Sequence, residues 1–170
     1  MRIHWAAALL VTSASCASAA CDIDAISTAL ESSLAHMKPA EIDVSKVEST
    51  DGGVWRVYRE ADGRMHSITR SDYGESGRRE MRLSTVSRGA YGISETRIDY
   101  LRHAYLEEAG PNGMAKRTTT FYYFCDGKLY VPAPEAAMLD TEAYPKAGAA
   151  ALAEMRDDAD IAKFTIGLKK

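Results

Sequence analysis

The chain has 170 residues, of which 26% are charged and 46% are hydrophobic, and its formal net charge is −3. This length is enough for a single domain with a sizeable buried core. The slightly acidic balance argues against a general nucleic-acid-binding protein, which needs a basic surface, so no nucleic-acid partner is expected.

The first twenty residues have the pattern of a secretory signal peptide. Arg2 supplies a short positive start, residues 5–11 (WAAALLV) form an apolar run too short to span a bilayer, and residues 17–20 (ASAA) supply the small side chains of a cleavage site. We therefore expect residues 1–20 to be removed and residues 21–170 to form one exported domain without a transmembrane segment. The short start fits export to a bacterial periplasm better than the alternative, a eukaryotic secretory pathway.

Two of the three cysteines, Cys21 and Cys125, belong to the expected mature chain. An even pair in an oxidising compartment predicts one disulfide. It would close a loop of about 100 residues, for which chain entropy gives a stabilisation on the order of 4–5 kcal/mol. One alternative is a free Cys125 inside the core. The other is a lipid anchor on Cys21, because the preceding Ser-Ala-Ala resembles a lipobox without its leucine, and only then would the protein be attached to a membrane. A metal site is not expected, since two thiols without a CxxC spacing or a neighbouring histidine are poor zinc ligands.

Two helices are predicted, one at the start of the domain and one near its C-terminal end. Apolar residues spaced by three or four predict a first helix over residues 22–37, with Asp22 or Asp24 at its start and Pro39 at its end. A run of good helix formers predicts a second helix over residues 149–157.

Between the helices, apolar and polar residues alternate and are interrupted by glycine-containing turns, which predicts a series of antiparallel strands. The predicted strands are residues 42–44, 54–60, 64–70, 79–86, 93–106, 116–125 and 128–131, followed after the second helix by residues 162–168. Residues 71–77 and 109–113 are predicted as loops. The fold class is therefore α+β: a curved antiparallel sheet built as a meander of hairpins, with an N-terminal and a C-terminal helix packed on it.

The strongest strand signal is residues 121–131 (FYYFCDGKLYV), in which Asp126-Gly127 predicts a two-residue hairpin turn. That turn places Cys125 opposite Lys128 and Tyr123 opposite Tyr130. Because both faces carry bulky apolar side chains, we expect this hairpin in the middle of the fold, covered on both sides. Tyrosine is enriched at interfaces, so Tyr123 and Tyr130 are the candidate binding residues. The alternative is that they are ordinary strand residues, since strands favour tyrosine.

No catalytic, cofactor-binding or metal-binding motif stands out in the sequence, so neither a cofactor nor a metal is expected. Ser76, in the sequence GESG, misses the spacing of a nucleophile elbow by one residue. Glu107 and Glu108 are adjacent and would point to opposite faces of a strand, which does not suit a pair of glycosidase carboxylates. His66 and His103 are each isolated, so a solvated or hydrogen-bonded histidine is the simpler interpretation of both.

These patterns support three hypotheses about function. The first is an exported, non-enzymatic binding protein that acts on another envelope or secreted protein, for example as an inhibitor or immunity protein. The second is a carrier of a small apolar ligand, held between the sheet and a helix. The third is an enzyme whose site is assembled from residues scattered in sequence, with His66 or His103 as the base.

Overall fold

The computed structural model describes residues 21–43, 52–87, 89–102, 113–131, 140 and 142–157. The expected signal peptide, most of the predicted loop over residues 109–113 and the predicted strand over residues 162–168 lie outside the described residues. The elements in chain order are helix α1 (Ile23–Glu31), strands β1 (Ala40–Asp43), β2 (Gly53–Arg59), β3 (Met65–Gly74), β4 (Gly77–Thr85), β5 (Ala90–Tyr100), β6 (Met114–Cys125) and β7 (Lys128–Tyr130), and helix α2 (Ala143–Asp157).

The strands form one antiparallel sheet in which every strand pairs with the next strand along the chain. The order is β1-β2-β3-β4-β5-β6-β7, a simple meander. The two helices pack on this sheet, so the predicted α+β fold class is confirmed. Meanders arise where strands are joined by tight turns, and here the turn residues Gly63 and Gly127 adopt φ angles of 83° and 77°, which suit glycine.

One face of the sheet, called the core face, carries the main hydrophobic core. Strand pairing aligns Val57, Ile68, Leu83, Ile93 and Tyr122 in one row across β2 to β6, and each of them is at most 4% exposed. Helix α2 packs on this row. The buried cluster comprises Trp55, Val57, Ile68, Met81, Leu83, Tyr91, Ile93, Tyr122 and Phe124 of the sheet together with Ala151 and Met155 of α2.

The opposite face, called the α1 face, carries small and polar side chains beneath helix α1. Because side chains alternate along a strand, Gly92 lies on this face while its neighbour Ile93 lies on the core face. A Cβ atom on Gly92 would lie only 2.6 Å from Cγ2 of Ile26 and 2.7 Å from Cδ1 of Leu30. The absence of a side chain at this position therefore lets α1 approach the sheet backbone.

The predicted loop over residues 71–77 and the predicted end of the first helix are wrong. Residues 71–77 do not form a loop, because β3 continues to Gly74 and β4 begins at Gly77 with only Glu75 and Ser76 between them. The predicted first helix is too long: α1 ends at Glu31, and Ser32 has a ψ of 141°, outside the helical region. Serine has low helix propensity and bonds locally to backbone, here to the carbonyl of Ala29 at 2.9 Å.

The hairpin of β6 and β7 has the predicted register but not the predicted position. Tyr123 lies opposite Tyr130 and Cys125 opposite Lys128, and both turn residues have positive φ, 50° for Asp126 and 77° for Gly127, as a two-residue hairpin requires. Among the described strands, the hairpin nevertheless lies at the end of the sheet rather than in its middle. The apolar residues on its two faces serve different purposes, one packing on α2 and the other forming a partly exposed aromatic surface.

Candidate interaction surface

The disulfide between Cys21 and Cys125 joins the start of α1 to the end of β6. Their Cα atoms are 5.7 Å apart, within the range that a disulfide spans, so the predicted pairing is present. Asp22 then begins the helix, because its Oδ1 accepts a hydrogen bond of 2.9 Å from the backbone N–H of Ala25. The bond fixes the first turn of α1 beside the Asp126-Gly127 turn.

Arg82 of β4 holds the other end of α1. Its guanidinium donates to the backbone carbonyls of Ala29 and Ser32, each at 2.7 Å, and to Oγ of Ser84 at 2.9 Å. These carbonyls belong to the last turn of the helix, which carries a partial negative charge and lacks partners within the helix. Burial lowers the pKa of Arg82. A nine-residue helix is too short to be stable alone, and it is fastened here at both ends.

The aromatic edge, defined as Phe121, Tyr123 and Tyr130, lies on the α1 face of the hairpin beside this fastened helix. The rings of Phe121 and Tyr123 are 6.4 Å apart and nearly parallel. Tyr123 is half-buried, whereas Tyr130 is 41% exposed. The structure thus brings the two binding residues proposed from the sequence directly opposite each other, at the edge of the sheet that the described strands form.

The α2 groove lies on the core face of the same hairpin, between the hairpin and helix α2. It has a volume of about 380 Å³, and apolar side chains of both elements line it together with one cation, Arg156. The lining includes Phe124, Leu129, Pro145, Ala149 and Leu152. A Cβ on Gly148 would lie 3.0 Å from Cδ1 of Tyr122 and 3.2 Å from the methyl groups of Leu129, so this glycine sets how closely α2 approaches the hairpin.

Arg156 at the rim of the α2 groove makes no ion pair with a carboxylate of the described residues. Burial raises the pKa of the Tyr91 hydroxyl, and the positive charge of Arg156 acts in the opposite direction. The guanidinium therefore lies near Tyr91, at the start of β5. Lys128, exposed on β7, likewise has no carboxylate partner among the described residues.

A third region, the hydroxyl groove, lies on the α1 face between α1 and the strands that the helix does not cover. Its volume is also about 380 Å³, but its lining is rich in hydroxyl groups and contains three arginines and one glutamate. The polar lining residues are Thr69, Ser71, Ser94, Thr96, Glu80, Arg70, Arg82 and Arg117. Arg82 already donates to α1, and Thr96 bonds to Thr119 at 2.9 Å, so part of this polarity serves the fold.

An ion-pair network on the core face joins α2 to the sheet. Glu154 of α2 accepts two hydrogen bonds from Arg79, at 2.7 and 2.9 Å, and one contact of 2.6 Å from Arg70. Arg79 also donates to Glu95 at 2.8 Å, and Arg70 to Asp72 at 2.8 Å. Each arginine thus bridges two carboxylates, and Glu154 connects the two arginines.

Glu95 in this network is held in its ionised form. Burial opposes its ionisation, but the hydrogen bonds and charges of Arg79 and Arg97 outweigh burial and keep the pKa of Glu95 below its usual value. A general acid needs a pKa raised towards the working pH. The network is therefore better suited to hold α2 in place than to transfer protons.

The other residues considered for catalysis or metal binding are scattered. His66 lies at the start of β3, where its Nδ1 is 2.7 Å from Oε1 of Glu60 across the β2–β3 turn, and Ser76 lies exposed in the β3–β4 turn. His103, Glu107 and Glu108 lie outside the described residues. Within the described ranges, no group of three or more histidine, cysteine, aspartate or glutamate side chains is placed to hold a metal ion, and no helix is long and apolar enough to cross a membrane.

Sequence patterns did not reveal Arg156, Arg82 or Gly92 as important residues. A cation in the last turn of a helix is a common signal, and Arg156 carries it, but nothing in the sequence indicates that it borders a groove. Comparisons with protein-family models, with curated proteins and with solved structures find no match to this chain.

Proposed function

We propose that this protein is a non-enzymatic binding protein of an oxidising, extracytoplasmic compartment, and that it acts on another protein through the aromatic edge. The observation that carries the proposal is the pair Tyr123 and Tyr130, opposite each other at the edge of the sheet with Tyr130 41% exposed. Tyrosine supplies a large contact area with few rotatable bonds and is frequent among residues that dominate binding energy.

Rigidity supports the same proposal. The disulfide at Cys125 lies two residues from Tyr123 and ties the hairpin to α1, so the aromatic edge loses little conformational entropy when a partner binds. Disulfides persist in oxidising compartments. Together with the signal-peptide pattern of residues 1–20, this favours the bacterial periplasm as the compartment and an inhibitor or immunity protein of the cell envelope as the role.

A pull-down with the mature protein from an envelope extract tests the proposal. The partner captured by the wild-type chain is identified, purified and titrated against two variants, Tyr130→Ala and Tyr73→Ala. Tyr73 is the matched control, because it is 40% exposed against 41% for Tyr130 and lies on β3, away from the hairpin. We expect Tyr130→Ala to weaken binding by at least about tenfold and Tyr73→Ala to leave it unchanged.

Equal binding of the wild-type protein and both variants would show that the aromatic edge is not the binding surface. Failure to capture any partner from the extract, under conditions in which the protein remains folded, would count against the function itself. Circular dichroism of each variant establishes that the fold is intact in either case.

The carrier hypothesis is a second candidate, favoured by the apolar lining of the α2 groove. A volume of about 380 Å³ lies within the usual range of small-molecule pockets, roughly 300–1,000 Å³. Native mass spectrometry of the protein purified from its own host would reveal a bound molecule as a constant added mass. Loss of that added mass in Leu129→Gln would place the ligand in this groove.

A further inference from the structure

Strand β7 forms the edge of the described sheet, and one of its residues directs its backbone outwards. In a hairpin with a two-residue turn, the pair that flanks the turn exchanges both backbone hydrogen bonds and the next pair exchanges none. The flanking pair is Cys125 and Lys128, and the next is Phe124 and Leu129. The N–H and C=O of Leu129 therefore point away from β6, on the side where no described strand lies.

The two sides of this edge differ in chemistry. Side chains of a strand added beside β7 would point alternately to the two faces of the sheet. Those on the core face would enter the α2 groove beside Leu129, and those on the α1 face would lie against Tyr130, opposite Tyr123. The edge thus offers backbone hydrogen bonds together with pockets for alternate side chains, the two requirements for recognition of an extended peptide.

The charge around this edge indicates what the added segment carries. Arg156 at the rim of the α2 groove and Lys128 on β7 have no carboxylate partner among the described residues. A segment with a carboxylate near its apolar side chain would supply that partner. Because both Arg156 and the groove lie on the core face, the acidic and apolar residues must be two positions apart.

We propose that β7 binds an extended segment of the partner protein as an additional strand, with a large apolar side chain in the α2 groove and a carboxylate on Arg156. The recognised pattern is an apolar residue and an acidic residue separated by one residue, in either order. This inference rests on the proposed function, since it specifies how the partner is held.

A displayed library of random twelve-residue peptides, selected against the mature protein, tests the inference without knowledge of the natural partner. We expect enrichment of peptides that carry an acidic residue two positions from a large apolar residue. Binding of the strongest peptide should weaken at least tenfold in Arg156→Glu and stay unchanged in Arg117→Glu. Arg117 is the control, because it is an arginine too but lies exposed on β6, away from the α2 groove.

Amide hydrogen exchange provides a second readout. A change in electrostatic attraction alone would not alter the exchange rate of the Leu129 amide. The Leu129 amide should exchange freely in the free protein and become protected when the selected peptide binds. Protection of that amide in the free protein would mean that the chain itself covers the edge, and would overturn the proposal. So would a selection without enrichment, or a bound peptide that leaves the Leu129 amide unprotected.

These outcomes separate the two proposals. Suppose that binding of a natural partner depends on Tyr130 but not on Arg156, and that the Leu129 amide stays unprotected. That result would support the proposed function and contradict strand addition at β7. Conversely, suppose that a selected peptide protects the Leu129 amide while no partner is captured from the extract. That result would support a peptide-binding site at β7 and contradict the proposed envelope partner.

Discussion

The two helices pack against opposite faces of one sheet, and they are held there in different ways. Helix α2 places Ala151 and Met155 in the main hydrophobic core, and its Glu154 accepts hydrogen bonds from the sheet. Helix α1 buries only Ile26 and Leu30, and it depends on a covalent bond at one end and on a guanidinium at the other. The core face thus derives its stability from buried area, and the α1 face from a few directional contacts.

This difference follows from the composition of the two faces. Buried apolar area stabilises in proportion to its extent, about 25 cal/mol per Å², and the core face supplies a row of large side chains across five strands. Beneath α1 the sheet carries Ser67, Ser84 and Gly92, whose side chains are small or absent. A helix packed there gains little buried area, so removing one fastening should free it while the sheet stays folded.

Of the changes that test this difference between the two faces, removal of the disulfide should have the largest effect on stability. Replacing Cys21 and Cys125 together by serine is expected to lower the free energy of unfolding by about 2–5 kcal/mol, the usual loss for a native bridge in a small domain. Urea unfolding measures the change. The Leu30 amide should lose most of its exchange protection while the Ile93 amide on the core face keeps it.

Equal loss of protection at Leu30 and Ile93 would contradict the comparison, because the two faces would then unfold as one unit. Free-thiol titration of the unfolded, unreduced wild-type protein should find neither Cys21 nor Cys125 reactive.

Removal of the guanidinium should have a smaller effect of the same kind. Arg82→Met keeps much of the apolar stem but leaves the carbonyls of Ala29 and Ser32 without their donor, which should cost about 1–3 kcal/mol. Arg78→Met is the matched control, since Arg78 lies on the same strand and face but is 40% exposed and pairs only with Glu80 among the described acids. The control should change stability by less than about 0.5 kcal/mol. Similar losses in the two variants would show that the contacts to α1 contribute little.

Acid should weaken the attachment of α2 by the smallest amount. The pKa of Glu95 is lowered in the folded protein from an ordinary value of 4.5, so its stabilisation is complete above the ordinary pKa and is lost as the pH falls through the lower, folded value. We expect the free energy of unfolding to decline below about pH 4.5, and Glu95→Gln to flatten part of that decline.

Asp62→Asn is the control for the acid experiment. The pKa of Asp62 is also lowered, by hydrogen bonds from Arg64, but this pair is exposed to solvent. Salt at about 0.5 M should therefore screen the contribution of Asp62 while largely sparing that of Glu95. An equal response of both variants to salt would show that the core-face network is no better shielded than a surface pair.

The sequence predicted the features that local chemistry determines. The Asp126-Gly127 turn fixes the register of its hairpin, because few residues tolerate positive φ at both central positions, and this prediction is confirmed. The prediction of a loop over residues 71–77 was wrong because pairing between β3 and β4 overrides the loop-like composition, with Ser71 opposite Glu80 and Asp72 opposite Arg79. The sequence analysis also missed the start of α2. The Asp140 carboxylate accepts hydrogen bonds from the backbone N–H groups of Glu142 and Ala143, so the helix begins earlier than predicted.

The candidate site was predictable only in part. That Tyr123 and Tyr130 face each other follows from the turn, but a strand with apolar residues on both faces gives no indication of whether it lies at the centre or the edge of a sheet. Arg156 and Gly148 belong to the site only because α2 crosses the hairpin, which is a matter of tertiary packing. Periodicity along the chain carries no information about that crossing.

The disulfide also imposes an order of events during synthesis. The ribosome adds Cys125 104 residues after Cys21. By then β1 to β5 and nearly all of β6 have been synthesised. Helix α1 is therefore made before every described strand, but it cannot be bonded to β6 until Cys125 has been made. In a nascent chain shorter than 125 residues, the Cys21 thiol therefore has no Cys125 to pair with, and the first turn of α1 is not yet joined to β6.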